Sequence, residues 1–194
     1  EIRSDKPLIP VEDHHDLLAN IQAGIKRLRE IHPAANKVLV VSGDIPAIQS
    51  NMVDWCIDRI LESDEDVYYN VIERSAMEKR FPGSKRTYAP LKDVEVCGGD
   101  INGMSVSIVD NQTGLWEHLI EARKSSLRQA SLLGYDTLLL LVLRQLALED
   151  AARMVSKRLG LKGRAILCPY AEMGMDIDKP HQLDILRHDL ARVN

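Results

Sequence analysis

The sequence predicts an α/β fold that contains a parallel strand pair. Two strand-forming runs, VLVV (38–41) and DVYYNVI (66–72), flank the segment 51–61, in which apolar residues share one helical face. This strand–helix–strand order favours a parallel pair joined by a right-handed crossover. The 194 residues suit one domain with a substantial core. Because no linker, repeat or low-complexity stretch divides the sequence, we expect a single domain over 1–194.

The first predicted helix spans 13–31. Leucines and isoleucines recur there at helical spacing, Asp13 or Asp16 can cap its start, and His32-Pro33 ends it. The apolar, proline-interrupted PLIPV (7–11) before it is typical of a loop or an edge strand.

The strand after this helix is followed by a carboxylate. Residues 38–41 are continuously apolar and mostly β-branched, as in a strand that is covered on both faces. Ser42-Gly43 and Pro46 stop the run. Asp44 is therefore expected just past the carboxyl end of a buried strand, the edge at which open α/β sheets bind ligands.

The segment 73–103 differs in character because it is polar, basic in its middle and punctuated by proline and glycine. It predicts a short helix, a long loop, a strand near 93–96 and a tight turn at Gly98-Gly99. The alternating residues of MSVSIVD (104–110) predict a further strand.

The C-terminal half is predicted to be mainly helical. The segment 114–160 is interpreted as wholly helical, with TLLLLVL (137–143) as its most buried portion and Gly160 just past its end. RAILC (164–168) predicts a short buried strand. Pro180 is expected in the first turn of a last amphipathic helix.

The composition argues against several classes of protein. A net charge of −4 disfavours a broad nucleic-acid or anionic-membrane surface. The longest apolar run, 138–143, has six residues, far short of the roughly 18 that span a bilayer. The three cysteines lack CxxC spacing, which is typical of reduced thiols and argues against a zinc site. We therefore expect a cytoplasmic protein without nucleic-acid or membrane partners.

Three aspartates form a candidate cation site. GMDIDKP (174–180) places Asp176 and Asp178 two residues apart, so that on an extended chain they point the same way. Together with Asp44 from another strand end, they could hold one Mg²⁺, which prefers carboxylates, waters and phosphate oxygens. The alternative is that Asp176 and Asp178 only cap the final helix.

Further residues could contact an anionic ligand. In the basic segment 73–88, five cations could clamp phosphates or simply lie in solvent: Arg74, Lys79, Arg80, Lys85 and Arg86. In CGGDING (97–103), Gly98-Gly99 would let the backbone approach a ligand that Asn102 could hydrogen-bond, although a β-turn explains the glycines equally well. Lys124, in a predicted helix, is a surface lysine by default.

In sequence order these pieces resemble one family. The pieces are VLVVSGDIPAI (38–48), VIERSAMEKRFPGSKRTYAPLKDVEVCGGDI (71–101), WEHLIEARKSS (116–126) and GMDIDKPHQLDI (174–185). They resemble the nucleotidyltransferases that include molybdenum-cofactor guanylyltransferase and sugar-phosphate nucleotidylyltransferases, and most closely the MobA-like NTP transferases. The similarity covers the chain from about Asp16 onward.

The resemblance implies a Rossmann-like, GT-A-like α/β fold, with a mostly parallel sheet sandwiched by helices. It implies transfer of a nucleotidyl group from a nucleoside triphosphate to an anionic, phosphorylated acceptor, with release of pyrophosphate. It also implies Mg²⁺ or Mn²⁺ as cofactor. Such chemistry needs cations that offset charge on the phosphate oxygens, and it needs no covalent nucleophile.

The resemblance further implies roles for individual residues. Asp44 and either Asp178 or Asp176 would bind the metal ion, and Gly98-Gly99 would line the acceptor pocket. Lys124 is assigned to catalysis together with the aspartates. The remaining candidates would contact the substrates: Arg74, Lys85, Arg86 and Asn102.

One departure from the family precedes Asp44, where the glycine-rich, basic loop that cradles the triphosphate is not found. Either about the first third of the protein lies outside this sequence, or the chain is a degenerate member that has lost NTP binding. Two alternative functions are a non-catalytic nucleotide- or metabolite-binding or assembly module and a GT-A-type glycosyltransferase. The helical segment 114–160 would be plain core, part of the acceptor wall or an oligomer surface.

Overall fold

The computed structural model describes residues 6–110 and 135–193. Its helices are α1 (Leu17–Ile31), α2 (Ser50–Leu61), α3 (Arg74–Arg80), α4 (Tyr135–Val142), α5 (Leu148–Leu159) and α6 (Pro180–Val193). Its strands are β1 (Lys37–Val41), β2 (Val67–Glu73), β3 (Ala89–Pro90), β4 (Glu95–Gly98), β5 (Ile101–Ser105) and β6 (Gly163–Cys168). Short 3₁₀ helices span Val106–Asp110 and Ala171–Gly174.

The strands form one six-stranded sheet that is mainly antiparallel. They follow the order β1-β5-β2-β4-β3, and β6 pairs with β2. Of the five pairings among the described strands, four are antiparallel and only β2 with β6 is parallel. The predicted Rossmann-like fold with a mostly parallel sheet is therefore wrong. β1 and β2 run in the same direction, as predicted, because both are antiparallel to β5. They do not pair directly, however, because β5 lies between them.

A bulge interrupts the ladder beside β2. Val71 pairs with Gly98, whereas Tyr68 pairs with Gly103, so the β4–β5 side carries two extra residues between these pairs. The extra length includes Asp100, whose backbone N–H donates to the carbonyl of Met173 at 2.7 Å. The bulge thereby directs this part of the chain toward the segment that follows β6.

The main core lies on one face of the sheet. Tyr68 and Ile72 of β2 are fully buried there against α2, α3 and the methionines of the segment after β6. The alternate residues of β2, Val67, Tyr69 and Val71, point to the other face, because side chains alternate along a strand. That face is covered in part by α5.

Two predicted elements differ from the structure. The segment 114–160 is not one continuous helix, because α4 ends at Val142, α5 begins at Leu148, and Arg144 between them has a left-handed φ of 53°. Residues 114–134 of that segment lie outside the described residues. The predicted strand over 104–110 ends at Ser105 and continues as a 3₁₀ helix. The bond from Val106 N–H to Asn36 O extends the register of β1 and β5 by one more pair before the chain turns.

Two predictions of burial are also wrong. β1 is only partly buried and its Val41 is exposed, because β1 is an edge strand that pairs with β5 alone among the described strands. In TLLLLVL, the side chains of Leu139, Val142 and Leu143 are exposed, whereas that of Thr137 is buried. The burial expected of this stretch therefore does not hold at these three positions.

Local signals in the sequence predict the helix ends correctly. Asp16 caps α1, with its Oδ1 accepting from Leu18 N and Ala19 N. Gly160 ends α5 with a left-handed φ of 65°, and Pro180 begins α6. Among the described helices, none has both the length and the apolar character needed to cross a membrane.

Candidate functional site

The structure brings together the three aspartates that the sequence singles out. Asp44 follows β1, while Asp176 and Asp178 lie between β6 and α6. One carboxylate oxygen from each of the three residues lies within 4.8 Å of the others. Asp176 is buried, whereas Asp44 and Asp178 are exposed. The cluster of these three carboxylates is called the aspartate cluster below.

Backbone contacts join the two segments that carry the aspartate cluster. Ile177 N–H donates to the carbonyl of Asp44 at 3.2 Å. Ser42 Oγ donates to Asp44 Oδ1 at 2.5 Å, which orients that carboxylate. The end of β1 and the segment before α6 are therefore held side by side by the chain itself.

A glutamine organises the start of α6. The side chain of Gln182 is 2% exposed, and its Oε1 accepts from Lys179 N at 2.8 Å and from Asp178 N at 3.1 Å. Gln182 thus satisfies backbone donors at this helix start. The backbone donors of Asp178 and Lys179 are therefore capped by Gln182 and not by the carboxylates of Asp176 and Asp178.

Arg86 is the cation that meets the aspartate cluster. Its Nη1 donates to Asp176 Oδ1, and the two side chains are only 14% and 11% exposed. A buried carboxylate needs such a partner because the low-dielectric interior penalises an unpaired charge. The pair leaves the carboxylates of Asp44 and Asp178 at the solvent-facing side.

The other predicted cations do not form one clamp with Arg86. Arg74 Nη1 pairs with Glu95 at 3.0 Å. Arg80 binds Glu172 at 2.7 Å and Asp189 at 2.5 Å. Lys85 is exposed beside Arg86, and Lys124 lies outside the described residues. The positions of the charges in the sequence do not indicate which arginine contacts the aspartate cluster, because each arginine has a different acidic partner in the fold.

The glycine-rich turn is used for close packing of the bulge. A Cβ at Gly98 would lie 2.3 Å from Tyr69 Oη, and one at Gly99 would lie 3.1 Å from Asn70 O. Asn102 Oδ1 accepts from Asn70 N at 2.9 Å, and its Nδ2 donates to Gly99 O at 3.0 Å. The side chain of Asn102 therefore holds the bulge in place, and the assignment of these three residues to substrate binding stays a prediction.

Asp100 is a fourth carboxylate that the sequence reasoning missed. Burial raises the pKa of Asp100, the charges of Asp44 and Asp178 raise it further, and Arg86 opposes them. Its Oδ2 is buried and has no hydrogen-bond partner among the described residues. Its backbone carbonyl accepts from Ser42 N at 2.9 Å. The signal was its place directly after Gly98-Gly99, where a bulge can direct a side chain toward a neighbouring strand end.

This donor set suits a hard divalent cation. Carboxylate oxygens are the ligands that Mg²⁺ and Mn²⁺ prefer, and the aspartate cluster offers three of them within 4.8 Å of one another. With Arg86 paired to Asp176, the remaining carboxylates carry an excess of negative charge. The aspartate cluster therefore fits the ion that the resemblance implies, with Asp44, Asp176 and Asp178 as the residues that would hold it.

Comparison with known proteins indicates a fold shared with a hypothetical transferase. No protein-family model and no curated protein matches the chain. A solved structure described as a hypothetical transferase from Thermus thermophilus does match, with a TM-score of 0.78 and 31% sequence identity, covering 88% of this chain and 71% of that one. The fold is accordingly one found in transferases. The chain belongs to the same family as this Thermus thermophilus protein.

Proposed function

We propose that the protein is an Mg²⁺-dependent nucleotidyltransferase. It moves a nucleotidyl group from a nucleoside triphosphate to a phosphorylated acceptor and releases pyrophosphate. The observation that carries the proposal is the convergence of Asp44, Asp176 and Asp178 within 4.8 Å in a chain that shares a family with a hypothetical transferase. The motif order around these residues supplies the nucleotidyl part of the proposal.

In this proposal, the acidic residues bind the metal ion and the basic residues contact the anionic substrates. Asp44 and Asp178, with Asp176 behind them, would hold Mg²⁺ or Mn²⁺. When bound, the ion supplies positive charge that stabilises the phosphate oxygens during displacement of pyrophosphate. Arg86 holds the carboxylate of Asp176 in place, and with Lys85 it offers positive charge to an anionic substrate. Lys124 keeps its predicted catalytic role.

The first test is calorimetric. Mg²⁺ or Mn²⁺ together with CTP, GTP or ATP is titrated into the protein, into Asp44→Asn and into the control Asp58→Asn, which changes an exposed aspartate of α2. We expect nucleotide-dependent metal binding that the first variant loses and the second keeps. Equal binding by both variants would contradict the assignment of Asp44.

Product analysis then identifies the reaction. In the full-length protein, pyrophosphate release from a nucleoside triphosphate should fall by at least about a hundredfold in Asp44→Asn, as expected when a ligand that stabilises transition-state charge is removed. Unchanged pyrophosphate release would refute the proposal. Release of a nucleoside diphosphate from a nucleotide sugar would instead show glycosyl transfer.

A further inference from the structure

A cavity lies on the face of the sheet that is turned away from the main core. Its volume is about 510 Å³, and its walls come from β2, β4, β6 and one side of α5. The lining is mostly apolar and includes Val71, Val96, Leu148 and Val155. The cavity is separate from the aspartate cluster, none of whose residues lines it. It is called the α5 cavity below.

The described part of the chain leaves a buried hydroxyl of the α5 cavity without a hydrogen-bond partner. Thr137 lines the cavity and is 5% exposed, and its Oγ1 is buried without a hydrogen bond among the described residues. By contrast, the hydroxyl of Ser156, which also lines the cavity, donates to Ala152 O at 2.6 Å and accepts from Gly163 N at 3.1 Å. A buried hydroxyl without a partner costs stability, so the hydroxyl of Thr137 would gain from a ligand that hydrogen-bonds it.

The α5 cavity reaches the neighbourhood of the aspartate cluster at Tyr69. The ring of Tyr69 lines the cavity. The phenol of Tyr69 lies against Gly98 at the start of the bulge, where an added Cβ would be 2.3 Å from its Oη. Partial burial and the nearby charge of Asp100 raise the pKa of Tyr69, while Arg86 lowers it.

We propose that the α5 cavity is a binding site for a small, largely apolar molecule that carries one hydrogen-bonding group for Thr137. Ligand cavities commonly span about 300–1,000 Å³, and apolar cavities of about 150 Å³ already bind benzene. Occupation restores van der Waals contacts that the walls otherwise lack. The proposal does not depend on nucleotidyl transfer, because it uses none of the metal-binding residues.

The test uses N-phenyl-1-naphthylamine, a neutral aromatic probe with a single N–H. Its binding is measured by the change in its fluorescence. We expect saturable binding of one probe per chain. Thr137→Val keeps the shape of the side chain and removes the hydroxyl, so it should weaken binding by about fivefold, the loss of one neutral hydrogen bond. Ala152→Phe places a ring in the cavity and should weaken binding at least about tenfold.

Lys157→Phe is the matched control, because it adds the same ring at an exposed position of α5. It should bind the probe as the unaltered protein does. Circular dichroism and urea unfolding establish that each variant is folded. Absence of saturable binding would overturn the proposal. Equal binding by Ala152→Phe and Lys157→Phe would also overturn it, since the probe would then lie on exposed apolar residues such as those of α4.

Discussion

The pairing of Arg86 with Asp176 decides the stability of the candidate site at the level of single residues. Both side chains are largely buried, so each charge has lost most of its hydration. Mutual attraction offsets that desolvation only while both partners are present. Removal of one partner leaves the other buried and uncompensated, which is more costly than loss of the pair as a whole.

Arg86→Met should therefore lower the free energy of unfolding by about 3 kcal/mol. Lys85→Met is the matched control, and this change of an exposed neighbour should cost no more than about 0.5 kcal/mol. The double variant Arg86→Met/Asp176→Asn should recover part of the loss, because it removes the unpaired charge. Urea unfolding at pH 7 measures all three. A loss in Arg86→Met no larger than in Lys85→Met would contradict the role of the pair.

The aspartates were predictable at this scale, and their cation partner was not. A carboxylate just past a strand and two alternating carboxylates before a helix are patterns that a short window of sequence contains. The choice of Arg86 over Arg74 or Arg80 depends on acidic partners far along the chain, such as Glu95 and Asp189. Asp100 was missed because the bulge is what brings it near the aspartate cluster. The bulge results from the pairing of β2 with β4 and β5, which a short window of sequence does not contain.

At the scale of elements, Arg80 links α3 to α6. Its Nη1 and Nη2 donate to the two carboxylate oxygens of Asp189 at 2.5 and 2.8 Å. Its Nε donates to Glu172 in the 3₁₀ helix after β6 at 2.7 Å. Two parallel hydrogen bonds between an arginine and a carboxylate fix geometry as well as charge. The segment that carries Asp176 and Asp178 lies between these two anchor points.

This link makes stability depend on pH on the acid side. The hydrogen bond from Arg80 lowers the pKa of Asp189 below its ordinary value, which is about 3.9 in an unfolded chain. A depressed folded-state pKa contributes stability above the unfolded pKa, and that stability is lost as the pH falls through the folded pKa.

Asp189→Asn should therefore reduce the free energy of unfolding at pH 7 by about 1 kcal/mol, a modest value because Arg80 is 38% exposed. The difference from the unaltered protein should shrink as the pH is lowered from 5 toward 2. Asp184→Asn, at an exposed position of the same helix, should show no such dependence. Urea unfolding across this range measures both variants, and a difference that stays constant with pH would refute the assignment.

Helix limits were predictable from local chemistry, whereas strand pairing was not. A cap such as Asp16, a glycine such as Gly160 and a proline such as Pro180 act within one turn of the helix they delimit. Strand pairing depends on contacts between segments that are distant in the sequence. Hydrophobic alternation predicts a strand but does not identify the strand with which it pairs. The insertion of β5 between β1 and β2 therefore could not be deduced from the β-α-β order.

At the scale of the whole molecule, the fold gathers carboxylates from three separate segments. Asp44 follows β1, Asp100 lies in the bulge, and Asp176 and Asp178 precede α6. Backbone hydrogen bonds join these segments: Ser42 N to Asp100 O, Asp100 N to Met173 O, and Ile177 N to Asp44 O. Like charges held together in this way raise the free energy of the folded state, because each ionised carboxylate disfavours the next. A divalent cation would relieve that repulsion in the folded chain and not in the unfolded one, where the segments separate.

Mn²⁺ should therefore stabilise the whole fold. At a free concentration about a hundredfold above its dissociation constant, the gain in the free energy of unfolding should be about 2.7 kcal/mol, read as a rise in the urea midpoint. Asp178→Asn should remove most of that gain, while Asp58→Asn on α2 should keep it. NaCl at matched ionic strength separates site binding from general screening of surface charge. If Mn²⁺ and matched NaCl shift the midpoint equally, or if both variants respond alike, the aspartate cluster is not a metal site. A shift that only Asp178→Asn loses would instead locate the bound ion at the aspartate cluster.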